Sequence, residues 1–173
     1  MVNRVFLVGY MGSGKSTIGK FLARDLGWQF IDMDDLFEQN AGCSISDFFA
    51  QHGQDAFRQA EADLLRQLAS ADKAVIATGG GAPCFHSNME VMNNAGLTIY
   101  INVLPVDLAR RLAPAKAHRP ILADKSDDEL ESFIAQQLQT RDPFYRQAKM
   151  TVDGERLPFA SYKLFVETFP DDL

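Results

Sequence analysis

Cysteine is scarce in this sequence: only Cys43 and Cys84 occur, distant from each other and from any pair of histidines. Neither a disulfide framework nor a zinc spacing can be built from them, so they read as two small buried or half-buried thiols. Long apolar runs are missing too, since none reaches the ~18 residues a membrane span requires. The opening stretch MVNRVFLVGYMGSGKS lacks the basic run, apolar core and small-residue cleavage site of an export signal, so a soluble, cytoplasmic protein is expected. Positive charge is in deficit. Lys plus Arg number 17 against 23 Asp plus Glu, and a net charge of −6 argues against a general grip on nucleic-acid phosphates. Any phosphate site must therefore be local. There is no repeat, no linker and no composition shift, and 46% hydrophobic residues over 173 positions suffice for one core. One domain over residues 1–173 is the expectation, and with no heptad or broad apolar stripe, a monomer.

What is present alternates between two periodicities. Val5 to Val8 is a short apolar run ended by glycine, followed from Lys15 to Leu26 by a helical pattern with Ile18, Leu22 and Leu26 on one face. Phe30 to Asp32, Ala74 to Ala77, Leu97 to Val103 and Met150 to Val152 read as further strands. Helical patterns cover Leu36–Phe37, Ser46–Phe49, Gln54 to Ser70, Met89 to Asn94 and Pro158 to Phe169. Ser126 and Glu129 form a capping box that opens a helix running toward Arg141, which Pro143 should kink or end. Strands separated by helices favour a parallel sheet. The stretch LAPAKAHRPILAD, residues 112–124, has two prolines, three basic groups and no apolar period, as a loop over a site would, though an ordinary surface loop fits nearly as well.

Gly9 to Ser16, GYMGSGKS, matches the P-loop pattern G-x-x-x-x-G-K-S/T and lies between an expected strand and an expected helix, as its mechanism needs. Glycines let successive backbone N–H groups face phosphate oxygens, and the helix N-terminus adds donors and dipole. In this reading Gly12, Ser13, Gly14 and Thr17 belong to the nucleotide cradle. Lys15 bridges the β- and γ-phosphates and Ser16 ligates magnesium, with Asp32 able to reach the metal shell. The N-K-x-D tetrapeptide of guanine recognition is absent, which leaves ATP as the nucleotide.

Phosphoryl transfer to an alcohol also needs a carboxylate for the hydroxyl and cations for the moving charge. Asp32, Asp34 and Asp35 cluster beyond a strand end, where ligands of open α/β sheets bind, although Asp35 suits a helix first turn equally well. Arg58 and Glu61 share a helical face, a spacing a simple local ion pair also explains. Thr78-Gly79-Gly80-Gly81 follows a strand and offers unobstructed backbone for close approach of a ligand. Arg141 precedes Asp142-Pro143, placed to fork onto a substrate carboxylate, though a lone arginine is more often a surface charge.

Together GYMGSGKST, Asp32-x-Asp34, Phe57-Arg58-x-x-Glu61, Gly79-Gly80-Gly81, Arg119-Pro120 and Arg141-x-Pro143-x-Tyr145 resemble the shikimate kinase family, in order and spacing from Gly9 to Tyr145. The resemblance implies a three-layer α/β/α P-loop fold of the nucleoside-monophosphate-kinase type. It would have a five-stranded parallel sheet, a mobile lid at about 112–124 and shikimate-binding helices at about 33–61. It also implies the activity: ATP, with Mg2+, phosphorylates shikimate to shikimate 3-phosphate and ADP, a step toward chorismate and the aromatic amino acids. By the same resemblance Asp34 binds the shikimate hydroxyls and is the candidate base, while Arg58 and Arg141 grip the carboxylate and Glu61 orients Arg58. Gly79, Gly80 and Gly81 supply backbone contacts, and Arg119 closes from the lid onto the ATP phosphates. The catalytic set is then Lys15, Asp34 and Arg119. Arg111 is similar to the family's adenine-stacking arginine, and Arg156-Leu157-Pro158 loosely matches its C-terminal adenine loop. A gluconate-type or other small P-loop metabolite kinase and a non-catalytic nucleotide-binding regulator are the competing readings.

Overall fold

A computed structural model describes residues 2–114, 122 and 125–170. Arg119 and most of the expected lid lie outside the described residues. The described chain carries five strands, β1 (Arg4–Val8), β2 (Gln29–Asp32), β3 (Ala74–Ala77), β4 (Leu97–Asn102) and β5 (Met150–Asp153), all parallel and ordered β2-β3-β1-β4-β5. Val5 to Val8 and Ala74 to Ala77 are completely or almost completely buried, which is why these strands are continuous apolar runs rather than alternating ones. The helices are α1 (Lys15–Leu26), α2 (Met33–Ala41), α3 (Ile45–Leu68), α4 (Asn88–Ala95), α5 (Pro105–Leu112), α6 (Asp127–Tyr145) and α7 (Phe159–Thr168). A short 3₁₀ turn, Ala82–Cys84, follows β3.

The expected elements are found, and α5 is a further helix that the sequence pattern did not mark. The separate stretches expected at Ser46–Phe49 and Gln54 to Ser70 are the two arms of α3, which breaks where Gly53 adopts φ 80°, ψ 173°; an L side chain would be strained there, so glycine carries the break. Pro143 falls inside the last turn of α6, which continues to Tyr145. Close to the C-terminus the loss of one N–H donor removes little, so the helix ends just beyond the proline rather than at it. The expected capping box is formed: Ser126 Oγ accepts from the Glu129 N–H, and the Glu129 carboxylate accepts from the Ser126 N–H.

Sheet order positions the site. From β1 the chain crosses to β2 at one edge and later reaches β4 on the other side, so a crevice opens beyond the carboxyl end of β1. Register brings three strand ends level: Leu7 pairs with Ala77, and Ala77 with Asp32. Thr78 fastens that edge, donating both its N–H, at 3.1 Å, and its hydroxyl, at 3.0 Å, to the Leu7 carbonyl. The loop after β1, the acids after β2 and the glycines after β3 therefore emerge side by side.

Candidate active site

Backbone geometry builds the cradle. Gly9, Gly12 and Gly14 have φ of 144°, 78° and 100°, values that β-carbons disfavour, and Gly14 caps α1 with its N-terminal amides turned to the loop. Lys15 is buried; its Nζ donates to the Gly9 carbonyl at 2.8 Å and the Tyr10 carbonyl at 2.9 Å. Ser16 Oγ donates to Asp32 Oδ2 at 2.6 Å, while Asp32 Oδ1 accepts the Asp34 N–H at 3.2 Å as the N-cap of α2. The hydroxyl and the carboxylate named for magnesium are thus adjacent hard oxygens. That is the small protein share Mg2+ takes when substrate phosphates supply much of its shell.

A cavity of about 370 Å³ opens over this cradle, with Gly12, Gly14, Lys15, Ser16, Thr17, Asp32, Asp34, Gly80 and Arg111 among its walls. A second cavity of about 320 Å³ adjoins it across Arg111 and Gly12, and its outer walls are Gly154 and Phe159. Arg111 stands between the two. Its guanidinium donates to the carbonyls of Gly12, Ser13 and Gly154 at 3.1, 3.2 and 3.3 Å and pairs with Glu155. With its edges engaged this way, a ring-stacking face is what it has to offer a planar base. Gly154 and Phe159 line this second cavity and bracket the Arg156-Leu157-Pro158 stretch; Arg156 itself is exposed and faces Asp153 at 3.8 Å.

The three glycines after β3 leave room for the protein's own side chains, besides the cavity that Gly80 lines. A β-carbon on Gly79 would stand 2.7 Å from Asp34 Oδ1 and 3.0 Å from Glu61 Oε1; one on Gly81 would stand 2.6 Å from an Arg58 nitrogen. One on Gly80 would meet the Met11 N at 3.3 Å. Protein side chains and the P-loop, not empty space, press on this turn, so Asp34, Glu61 and Arg58 reach their places only because the glycines are bare. Tyr145 then pins the turn, its hydroxyl donating to the Gly80 carbonyl at 2.6 Å.

Glu61 is 3% exposed and accepts from Arg58 Nη1 at 2.5 Å, while the Arg58 guanidinium carbon lies 4.9 Å from the Phe57 ring and 4.5 Å from the Phe85 ring. Burial raises the Glu61 pKa and the Arg58 charge opposes the rise. Asp34 keeps an edge on the cavity, yet the protein around it removes enough water to raise its pKa; Asp32 adds to the rise, and Lys15 and Arg58 oppose it. Arg141, on α6, has its guanidinium carbon 5.3 Å from the centroid of the Tyr10 ring and donates to Gln137 Oε1 at 2.9 Å.

Of the residues named from sequence, Gly12, Gly14, Lys15, Ser16, Thr17, Asp32, Asp34, Gly80 and Arg111 share the first cavity, and Ser13 lines the second. Gly79, Gly81 and Arg58 pack behind Asp34 and Glu61, and Arg141 packs on the P-loop side chain of Tyr10. Sequence reasoning missed Tyr10, Phe85, Glu155 and the contact of Tyr145. Only Tyr145 carried a signal, its place in the Arg141-x-Pro143-x-Tyr145 motif.

Comparison with known proteins identifies the family. The shikimate kinase family model matches residues 11–168. The shikimate kinase of Parabacteroides distasonis is 47% identical over 156 residues, covering 90% of each chain. Among solved structures, shikimate kinase from Bacteroides thetaiotaomicron superposes with a TM-score of 0.89 at 43% identity, over 96% of this chain and 97% of that one. Shikimate kinase from Acinetobacter baumannii in complex with shikimate gives a TM-score of 0.85 at 30% identity, over 96% and 92%.

Proposed function

The chain belongs to the shikimate kinase family, and from that premise we propose how its own residues carry the γ-phosphoryl group of ATP to the 3-hydroxyl of shikimate, giving shikimate 3-phosphate and ADP. The enzyme is an ATP-dependent phosphotransferase with an alcohol acceptor. In our reading residues 1–173 form a single catalytic unit, with α2 and the start of α3 (about 33–61) binding the acceptor and residues 112–124 acting as a lid.

The amides of Gly12 to Thr17 hold the phosphate chain, and Lys15 exchanges the Gly9 and Tyr10 carbonyls for β- and γ-phosphate oxygens. Ser16 and Asp32 would hold Mg2+, which supplies neutralising charge to the phosphates when bound. Arg111 stacks on the adenine, and Arg119 closes onto the phosphates from the lid. Asp34 takes the acceptor hydroxyl: its raised pKa makes it a better proton acceptor than an ordinary aspartate, and its position fixes the hydroxyl for in-line attack. Arg58, aimed by Glu61, and Arg141 bind the acceptor carboxylate. The observation that supports this reading best is geometric: Asp34 shares the cavity with Lys15 and Ser16, while its carboxylate closes on the same bare turn at Gly79 as Glu61, the partner of Arg58, so that the phosphate cradle and the carboxylate grip meet at a single aspartate.

We further propose a cytoplasmic monomer whose partners are ATP and shikimate, with no nucleic-acid or membrane partner; among the described residues no helix is long and apolar enough to cross a membrane. The test is the product. With ATP, Mg2+ and shikimate, phosphorus–proton coupling in NMR should place the new phosphate on the 3-oxygen; phosphate at another hydroxyl would overturn the placement of Asp34.

A further inference from the structure

Tyr10 is the second residue of the P-loop, and it touches both ends of the site. Its carbonyl accepts from Lys15 Nζ at 2.9 Å and from the Ser13 N–H at 3.2 Å. Its ring is 1% exposed and carries the Arg141 guanidinium 5.3 Å from its centroid. Two further observations bear on what the ring does. The Tyr10 hydroxyl is buried and has no hydrogen-bond partner among the described residues, an arrangement that is unfavourable in itself, so the aromatic face and not the hydroxyl is what this position uses. Arg141 is held by neutral groups, the Tyr10 face, the Gln137 amide oxygen and the Tyr145 hydroxyl, and pairs with no carboxylate among the described residues, unlike Arg58 with its buried Glu61. Neutral support fixes the direction of the guanidinium while leaving its charge for an incoming anion.

We propose that Tyr10 is a positioning residue that fastens the carboxylate-binding Arg141 to the phosphate cradle, coupling occupancy of the nucleotide site to that of the acceptor site. This rests on the role given above to Arg141. When Lys15 leaves the Tyr10 carbonyl for a phosphate oxygen, the residue that changes its backbone partner is the one whose ring supports Arg141. Coupling of this kind is reciprocal: the factor by which nucleotide changes shikimate affinity equals the factor by which shikimate changes nucleotide affinity.

The experiment is calorimetric titration of shikimate with and without saturating ADP and Mg2+, on the wild type, Tyr10→Phe, Tyr10→Leu and Arg141→Ala. In the wild type ADP should shift the shikimate Kd, and Tyr10→Phe, which keeps the ring, should preserve both the Kd and the shift. Tyr10→Leu should raise the shikimate Kd by about three- to thirty-fold, the range for loss of a desolvated cation–π contact, and reduce the ADP-dependent shift to about onefold. If Tyr10→Leu loses its cooperative melting transition, Tyr10→Met gives the same readout with an apolar side chain of longer reach. A wild type with no shift, or a Leu or Met variant with wild-type Kd and shift, overturns the proposal. Arg141→Ala separates the two levels: unchanged shikimate affinity there contradicts the role of Arg141, whereas weakened binding there beside a wild-type Tyr10→Leu contradicts Tyr10 alone.

Discussion

Gly79→Ala is a one-carbon perturbation whose consequence can be worked from distances. The new β-carbon would stand 2.7 Å from Asp34 Oδ1 and 3.0 Å from Glu61 Oε1, where ordinary contact begins at 3.4 Å, so the carboxyl oxygens must retreat by 0.7 Å (3.4 − 2.7) and 0.4 Å (3.4 − 3.0). Gly79 has no positive φ, so its backbone tolerates alanine and the whole effect falls on the two side chains. Both can move, and the fold should survive. In the proposed reading, what Asp34 loses is its place under the acceptor hydroxyl. A misplacement of about 1 Å can cost on the order of a hundredfold, so a 0.7 Å retreat predicts a loss of roughly ten- to a hundredfold in kcat, or about 1.4–2.7 kcal/mol of activation free energy. Steady-state ADP release coupled to NADH oxidation measures it, and direct titration should show ADP affinity within twofold of wild type. Gly27→Ala is the control. Its φ is 68° and nothing lies within 4 Å of its β-carbon, so it should lower stability by about 1 kcal/mol through strain and leave kcat unchanged. A Gly79→Ala enzyme that turns over at the wild-type rate would refute the view that this turn is bare in order to seat Asp34.

Arg58→Ala and Arg141→Ala should each raise the shikimate KM by about ten- to a hundredfold, the loss of a charge-assisted contact worth roughly 1.5–3 kcal/mol, while ADP titrations stay near wild type; equal weakening of both ligands would argue against a carboxylate role. Glu61→Ala leaves the Arg58 guanidinium half-buried without its partner and should cost about 3–5 kcal/mol in denaturant unfolding, part of it recovered in the Arg58→Ala/Glu61→Ala double variant; additive losses would mean the two side chains are energetically independent. Asp34→Asn should raise Tm at pH 7.5 while lowering kcat. The folded Asp34 pKa is raised above its unfolded value of 3.8, so ionising it costs stability once pH exceeds the folded pKa, and that cost vanishes below 3.8 where both states are protonated. The Tm difference should therefore shrink as pH falls toward 3.8, and a difference that grew on acidification would contradict the direction of the shift.

Much of this was legible in the sequence because local chemistry fixed it. The P-loop needs its glycines, lysine and serine at one spacing, and buried parallel strands must be apolar runs, so β1, β3 and β4 and the loop after β1 could be placed from the residues alone. Gly79 to Gly81 stand out in the sequence as a stretch without side chains, but the sequence does not mark what presses against them. Asp34, Glu61 and Arg58 come from elsewhere in the chain, and only the level alignment of Asp32 with Ala77 brings them to the turn. Tyr10 and Arg141 are joined by the sheet order and the course of α6, with no periodicity linking them, and the same holds for Arg111 and Glu155. Pro143 shows the converse, where a local rule gives the right event but not its position, because a proline in a final turn disturbs few hydrogen bonds.

The central claim is that a phosphate cradle and a carboxylate grip converge on Asp34 to select shikimate as the acceptor. The most direct measurement is ADP release by purified protein in ATP and Mg2+ with shikimate, with gluconate and with neither. The account predicts turnover with shikimate alone; equal turnover with gluconate, or none with either, would contradict it.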